Sequence, residues 1–322
     1  MTFEKTKYLQ QHIQPDICSD QPNVCVEELY DNQLASWPLA AENYRKLQKT
    51  LKRTLSFGNF SIDVQHNPGR VRSTCAKTDE KEIKERPCFL CVENLPDEQK
   101  GFLMLDKYLV LVNPYPIFDR HLTISDINHT PQIIHQRIAD MLKLSEKLNS
   151  YTLFYNGPEC GASAPNHFHF QAVLKHKLPV DRECEQLLNH NSRQLKQDKK
   201  GSVYMVDSIL RECIIFESEN IEGIVENFNE ILTKCFKNDN GKEPMINVLA
   251  NARCGVFRLF LFPRVARRPS FFYKSGADKI LVSPASVEMG GTMITPRKED
   301  FEKITKQDVI RIFEEVSYSI SL

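Results

Sequence analysis

What this chain does not have narrows its reading first. It carries no net charge: 42 Lys and Arg balance 42 Asp and Glu over 322 residues. Composition therefore gives no general attraction to nucleic acid or to an anionic membrane. No stretch approaches the roughly 20 apolar residues of a membrane helix. The opening MTFEKTKYLQQHIQPDICSD has no apolar run of signal-peptide length. A cytoplasmic protein with no membrane and no nucleic-acid partner is expected. A disulfide framework is also missing: ten scattered cysteines in a chain of this size read as reduced thiols, mostly small buried apolar residues. Only Cys88 and Cys91 stand at a spacing that asks for another explanation. What is present is a globular composition, 41% hydrophobic and 26% charged, with length for one large domain or two ordinary ones.

Residues 1–38 read as a polar, irregular arm, and 39–55 as an amphipathic helix. FSIDVQ alternates like a strand and stops at the turn HNPGR. KTDEKEIKERP is a solvated charged loop leading into CFLC. GFLMLDKYLVLVNPYPIF gives two strands and HLTIS another. HTPQIIHQRIADMLKLSEKLNSY places Ile133, Ile134, Ile138, Met141, Leu142, Leu144 and Leu148 at helical spacing. YTLFYNG is a strand, GASAPN a loop, HFHFQAVL a strand. A charged linker covers 190–200. Then SVYMV and CIIFES read as strands, IEGIVENFNEILTKCF as a helix, MINVLANA and VFRLFLFPR as strands, and DVIRIFEEVSYSI as a closing helix. The order of strand, helix, strand, strand occurs twice. The expectation is an α+β fold of two degenerate halves, 39–195 and 196–322, behind the arm.

The chemistry gathers around HFHFQ. Residues two apart on a strand share a face, so His167, His169 and Gln171 form a polar row, with Phe168, Phe170 and Val173 assigned to the opposite, core side. Taken alone, H-x-H reads equally as an exposed strand face. The preceding NGPECGASAPN favours a ligand: Gly157 and Gly161 allow close backbone approach, and Ser163 offers a donor to a phosphate oxygen. Cys88-Phe-Leu-Cys91 has the spacing at which two thiolates bind one tetrahedral zinc. A redox pair and coincidence stay open, because two further ligands are needed.

These segments resemble a known superfamily. NGPECGASAPNHFHFQ and CFLCVEN are similar to the active-site and zinc-binding segments of galactose-1-phosphate uridylyltransferase, and HLTISDINH resembles the paired histidines of histidine-triad (HIT) proteins. VQHNPGR, INVLANA, FRLFLFPR and VEMGGTMITPRKEDF resemble GDP-L-galactose phosphorylases, and diadenosine polyphosphate phosphorylases share part of the pattern. The resemblance covers about residues 60–310. It implies a HIT-like antiparallel sheet with packed helices and makes His169 the nucleophile, with Gln171 holding the phosphoryl oxygens. It also implies a structural zinc on Cys88, Cys91, His129 and His167. His121, Asn156, Gly161 and Ser163 would line the phosphate side, and Asn67 and Arg70 would approach base or ribose. The uridylyltransferases carry histidines for a second metal where this chain has Phe257, Arg258 and Phe260, so no second metal is expected. Arg264, Arg267, Arg268 and Lys274 form either an acceptor-phosphate site or a solvated basic face.

The implied reaction is a ping-pong transfer from a nucleotide-sugar or dinucleotide through nucleotidyl-His169 to phosphate or a sugar phosphate, with GDP-hexose phosphorolysis first. Gln171 fits it, since an amide cannot act as a general acid, while a phosphate leaving group with a second pKa near ~6 needs none. The family's tendency implies a homodimer. The competing readings are a non-catalytic nucleotide-binding protein and a zinc-stabilised regulatory protein.

Overall fold

The computed structural model describes residues 3–14, 21–75, 83, 85–207, 209–236 and 242–319. Most of the charged stretch at 77–87 lies outside them. Thirteen strands form among the described residues. They are β1 (Leu51–Ser56), β2 (Ser61–His66), β3 (Gly101–Met104), β4 (Tyr108–Val112), β5 (Leu122–Asp126), β6 (Tyr151–Asn156) and β7 (His169–Leu174). The remainder are β8 (Ser192–Asp198), β9 (Gly201–Val206), β10 (Cys213–Ser218), β11 (Ile246–Arg253), β12 (Val256–Pro263) and β13 (Thr292–Thr295).

Ten of them make one sheet in the order β3-β4-β5-β7-β6-β11-β12-β10-β9-β8, with every neighbouring pair antiparallel. The order is mirrored about its centre. Strands 3, 4, 5, 7, 6 on one side correspond to 8, 9, 10, 12, 11 on the other. The helices Ile138–Lys147 and Ile221–Cys235 occupy matching places before β6 and β11. The repeated order read along the chain is therefore a structural repeat. Its two copies meet at β6–β11, where Asn156 pairs with Asn247 and Phe154 with Leu249.

Period-two side-chain alternation gives the sheet two apolar faces, and each is covered. On one face Phe168, Phe170, Ile214, Val248 and Leu261 pack under Met141, Leu142, Phe228 and Leu29. On the other, Phe154, Leu249, Phe260 and Phe262 pack with Ile62, Val64, Met293, Ile312 and Phe313. A three-stranded sheet, β1-β2-β13, contributes to this second layer, with β13 parallel to β2.

Several expectations change. The stretch 1–38 is helical over Phe3–His12 and Pro22–Ser36, because Cys25, Val26, Leu29 and Gln33 recur at helical spacing and are buried. The next helix ends at Leu47, and Leu51–Ser56 is a strand. The helix expected from residue 130 begins only at Ile138, and Ile133 is exposed. The charged linker is partly strand, as β8 pairs with β9 at the sheet edge. Its charges suit an edge with solvent on one side. Val173 belongs with Phe154 and Phe260 on the second face, the face of His169 and Gln171, as its odd number requires. No helix among the described residues is long and apolar enough to cross a membrane.

Candidate active site

His169 opens β7, between β5 and β6. The residue is 4% exposed, and its Nδ1 lies 2.9 Å from the His167 carbonyl oxygen. A carbonyl only accepts, so Nδ1 carries the proton and Nε2 keeps its lone pair. Burial pushes the pKa down to about 4, with the His167 carbonyl opposing and the His167 ring adding to the shift. At neutral pH the imidazole is uncharged.

Two residues along the same face, Gln171 receives His121. His121 Nδ1 accepts from the Ile117 N–H at 3.2 Å, which leaves the proton on Nε2 to donate to Gln171 Oε1 at 2.9 Å. Burial, then the nearby Arg70 charge, push His121 down to about 3. The Gln171 oxygen is thus occupied, and its amide nitrogen is the end left to meet an anion.

Asn67 and Arg70 reach the loop that carries Ile117. Asn67 Nδ2 donates to the Pro116 carbonyl at 3.2 Å, and Arg70 Nη1 to the Tyr115 carbonyl at 2.8 Å. Asn67 arrives there because its N–H donates to Thr295 O in the β2–β13 layer. The Arg70 pKa is pushed down to about 10 by burial, with Glu288 pulling it back. Glu288 is itself raised to about 7 by burial. It was not foreseen from sequence, and only folding brings it near Arg70.

The small-residue loop is held by the C-terminal half. Asn156 Oδ1 accepts from the Ser286 N–H at 2.8 Å and lies 3.3 Å from Asn247 Nδ2. Gly161 has φ +104°, and a Cβ there would stand 2.5 Å from Ala285 Cβ, so both its backbone and its contact need glycine. The Ser163 carbonyl accepts from Arg86 Nη2 at 2.5 Å.

Three further side chains converge on His167, the first residue of the row. Cys88 Sγ, Cys91 Sγ, His129 and His167 place their ligand atoms within 4.8 Å of one another. His167 Nδ1 lies 3.2 Å from Cys88 Sγ and 3.5 Å from Cys91 Sγ, and His129 Nδ1 lies 3.0 Å from Cys91 Sγ. His167 Nε2 donates to the Asp126 carbonyl at 2.7 Å, the outer contact that fixes a metal-binding imidazole with its other nitrogen free. Two thiolates and two imidazoles in this grouping could hold a metal ion.

The basic cluster separates. Arg264 is 3% exposed and donates to the carbonyls of Val316, Pro284, Ala266 and Arg267 and to Asn247 Oδ1. It is neither a solvated residue nor a vacant phosphate ligand, because its donors are used in joining C-terminal segments. Arg268 donates to Ser283 Oγ and the Thr74 carbonyl. Lys274 is exposed, its Nζ 4.6 Å from the Phe271 ring centroid, and no contact places it with His169 and Gln171. In the second half Arg258 is paired with Glu185 and Glu217, and Phe260 is core.

Known proteins align with both halves. Residues 29–174 match a domain of unknown function, DUF4922, and residues 189–321 match the GDPGP1-like C-terminal domain. GDP-L-galactose phosphorylase 2 of Arabidopsis thaliana is 24% identical over 220 residues, covering 66% of this chain and 48% of that protein. The chain thus spans about half the length of the curated relative it matches. Yeast Ap4A phosphorylase Apa2 superposes with a TM-score of 0.56 at 14% identity, covering 87% of this chain and 94% of its own. Its complex with AMP gives 0.58 at 13% identity, covering 89% and 97%. In fold the chain resembles yeast Ap4A phosphorylase Apa2, and its two halves match DUF4922 and the GDPGP1-like C-terminal domain.

Proposed function

We propose that the protein is a nucleotide phosphorylase that works through a nucleotidyl-His169 intermediate, with a GDP-hexose and inorganic phosphate as its first substrate pair. The observation that carries this reading is the tautomer of His169: Nδ1–H is tied to the His167 carbonyl, so the neutral Nε2 is the nucleophilic atom, and it shares a strand face with Gln171. The named activities of the Arabidopsis and yeast relatives support the same class.

In the first step Nε2 attacks the α-phosphorus. The N–P bond forms as the bond from phosphorus to the bridging oxygen breaks, and hexose 1-phosphate leaves with the electron pair. Its second pKa near ~6 allows departure without a proton donor, in keeping with a glutamine rather than an acid at 171. In the second step an oxygen of inorganic phosphate attacks the same phosphorus. The N–P bond breaks, GDP leaves, and His169 regains its lone pair. Dividing the displacement this way lowers each barrier. The Gln171 amide, Ser163 and the loop N–H groups stabilise the equatorial oxygens.

Cys88, Cys91, His129 and His167 are the residues that would hold zinc. Two sulfurs and two nitrogens suit its tetrahedral, closed structural site. Bound there, it would brace the strand start that carries His169.

The test is a panel of GDP-, UDP- and ADP-sugars and dinucleotides, each with inorganic phosphate. Without phosphate, wild type is expected to form an acid-labile, base-stable nucleotide adduct. His169→Gly should form none while retaining zinc. A wild type that binds nucleotide but never becomes labelled points instead to a regulatory binder. Loss of zinc from His169→Gly makes the histidine row a metal site.

A further inference from the structure

The β6–β7 pairing stops two residues short of the nucleophile. Its register runs to Phe154 opposite Gln171, and two more residues in the same register would set Asn156 opposite His169. At that place lies the side-chain amide of Gln132, from the turn after His129, 1% exposed. Its Oε1 accepts from the His169 N–H at 2.8 Å. Its Nε2 donates to the Asn156 carbonyl at 3.1 Å and to the His169 carbonyl at 3.0 Å. A primary amide offers two N–H bonds and one carbonyl, and the backbone of the two site residues uses all three.

The backbone of Gln132 is itself fixed. Its N–H donates to the Pro165 carbonyl at 3.3 Å, and its carbonyl accepts from the Tyr155 hydroxyl at 2.8 Å. The same hydroxyl lies 2.5 Å from Glu243 Oε2. The hydroxyl thus stands between two acceptors, the Gln132 carbonyl and the Glu243 carboxylate, and donates to either. Burial raises this carboxyl to about 7, with the Tyr155 hydroxyl and the Ile134 and His135 N–H groups opposing. Glu243 Oε1 in turn accepts from the Ile134 N–H. The segment 132–134 is thereby anchored from the C-terminal half.

We propose that Gln132 is a positioning residue for the nucleophile: its amide is the spacer between the Asn156 and His169 backbones that sets where the His169 ring meets the α-phosphorus. This rests on reading His169 as the nucleophile. The His167 carbonyl fixes the rotation of the ring, and Gln132 fixes the backbone from which the ring projects. Both are needed, since a displacement of about 1 Å at a reacting atom can cost on the order of 100-fold in rate.

Gln132→Glu keeps the size of the side chain but turns an oxygen towards two carbonyls. In the full chain, with GDP-glucose or whichever panel donor labels wild type, and inorganic phosphate, kcat should fall on the order of 100-fold. KM should stay within about 3-fold, because the nucleotide contacts are untouched. A folded Gln132→Glu protein with kcat within about 2-fold of wild type overturns the proposal. Should that variant not fold, Tyr155→Phe keeps the core ring and removes the hydroxyl from the Gln132 carbonyl and from Glu243 Oε2. It should lower kcat by about 10-fold at constant KM, and unchanged kcat overturns the proposal equally. Wild type that forms no adduct with any donor rejects the nucleophile itself, and this inference with it.

Discussion

His121 and Gln171 fix each other through one proton. Because Ile117 N–H occupies Nδ1 of the histidine, the Gln171 oxygen is spoken for and its NH2 is the end proposed to meet the substrate. Gln171→Glu should therefore turn a donor into a repelling anion. A kcat loss of about 100- to 1,000-fold is expected, with the thermal midpoint within a few degrees of wild type. Steady-state kinetics beside a melting curve will check this, and near-normal kcat would remove Gln171 from the site. Glu288 supports a pH prediction. Burial raises its carboxyl from 4.5 to about 7, with the Ala285 N–H and the Arg70 and Arg264 charges opposing. The folded chain therefore keeps a proton that the unfolded chain releases near 4.5. The resulting stabilisation is complete below the unfolded value and is lost as pH rises through about 7. Its size is on the order of 3 kcal/mol. Urea unfolding across about pH 5 to pH 8 should show this fall in wild type and a shallower one in Glu288→Gln, and identical slopes would refute it. At this scale the sequence exposed the histidine row, because residues two apart on a strand must share a face. It could not show which ring nitrogen is free, since that depends on the carbonyl of His167 and the N–H of Ile117.

The small-residue loop and the C-terminal segment form one working element. Asn156 accepts from Ser286 N–H, and Gly161 lies against Ala285 in a left-handed conformation. Gly161→Ala meets both strain and a clash, so a stability loss of about 1–3 kcal/mol is expected. A kcat loss on the order of 10- to 100-fold should accompany it, as the loop moves off Ala285. Differential scanning and initial rates will check both, and a variant with wild-type kcat would show that the loop tolerates the shift. Element types were legible where hydrophobic period was strong, as in Ile221–Cys235 or Val256–Pro263. They were not legible in Pro22–Ser36, whose buried stripe is short of apolar residues and includes Gln33. Nor was β8, a charged edge strand that pairing with β9 alone defines.

Across the whole molecule, the candidate site lies in the first half of the mirrored sheet. The first copy of the repeat carries the histidine row, and the second supplies the segments that brace it. Arg264 is the clearest brace, joining Val316, Pro284, Ala266 and Asn247, which in turn reaches Asn156. Arg264→Met keeps the volume but leaves several buried acceptors unpaired, so a destabilisation of about 3 kcal/mol or more is expected by denaturant titration. A loss below about 1 kcal/mol would show that the acceptors find other partners. By itself the sequence determined the α+β class, the doubled order of elements, the histidine row and the Cys88–Cys91 pair, because these follow from side-chain period and local spacing. That His129 and His167 join the cysteines is implied by the family resemblance, and the folded chain brings the four together; tertiary structure alone decided that Gln132 lies between Asn156 and His169 and that Glu288 stands near Arg70. Those contacts span tens to hundreds of residues, and no periodicity along a chain encodes which distant backbone group a side chain will reach once both faces of the sheet are covered.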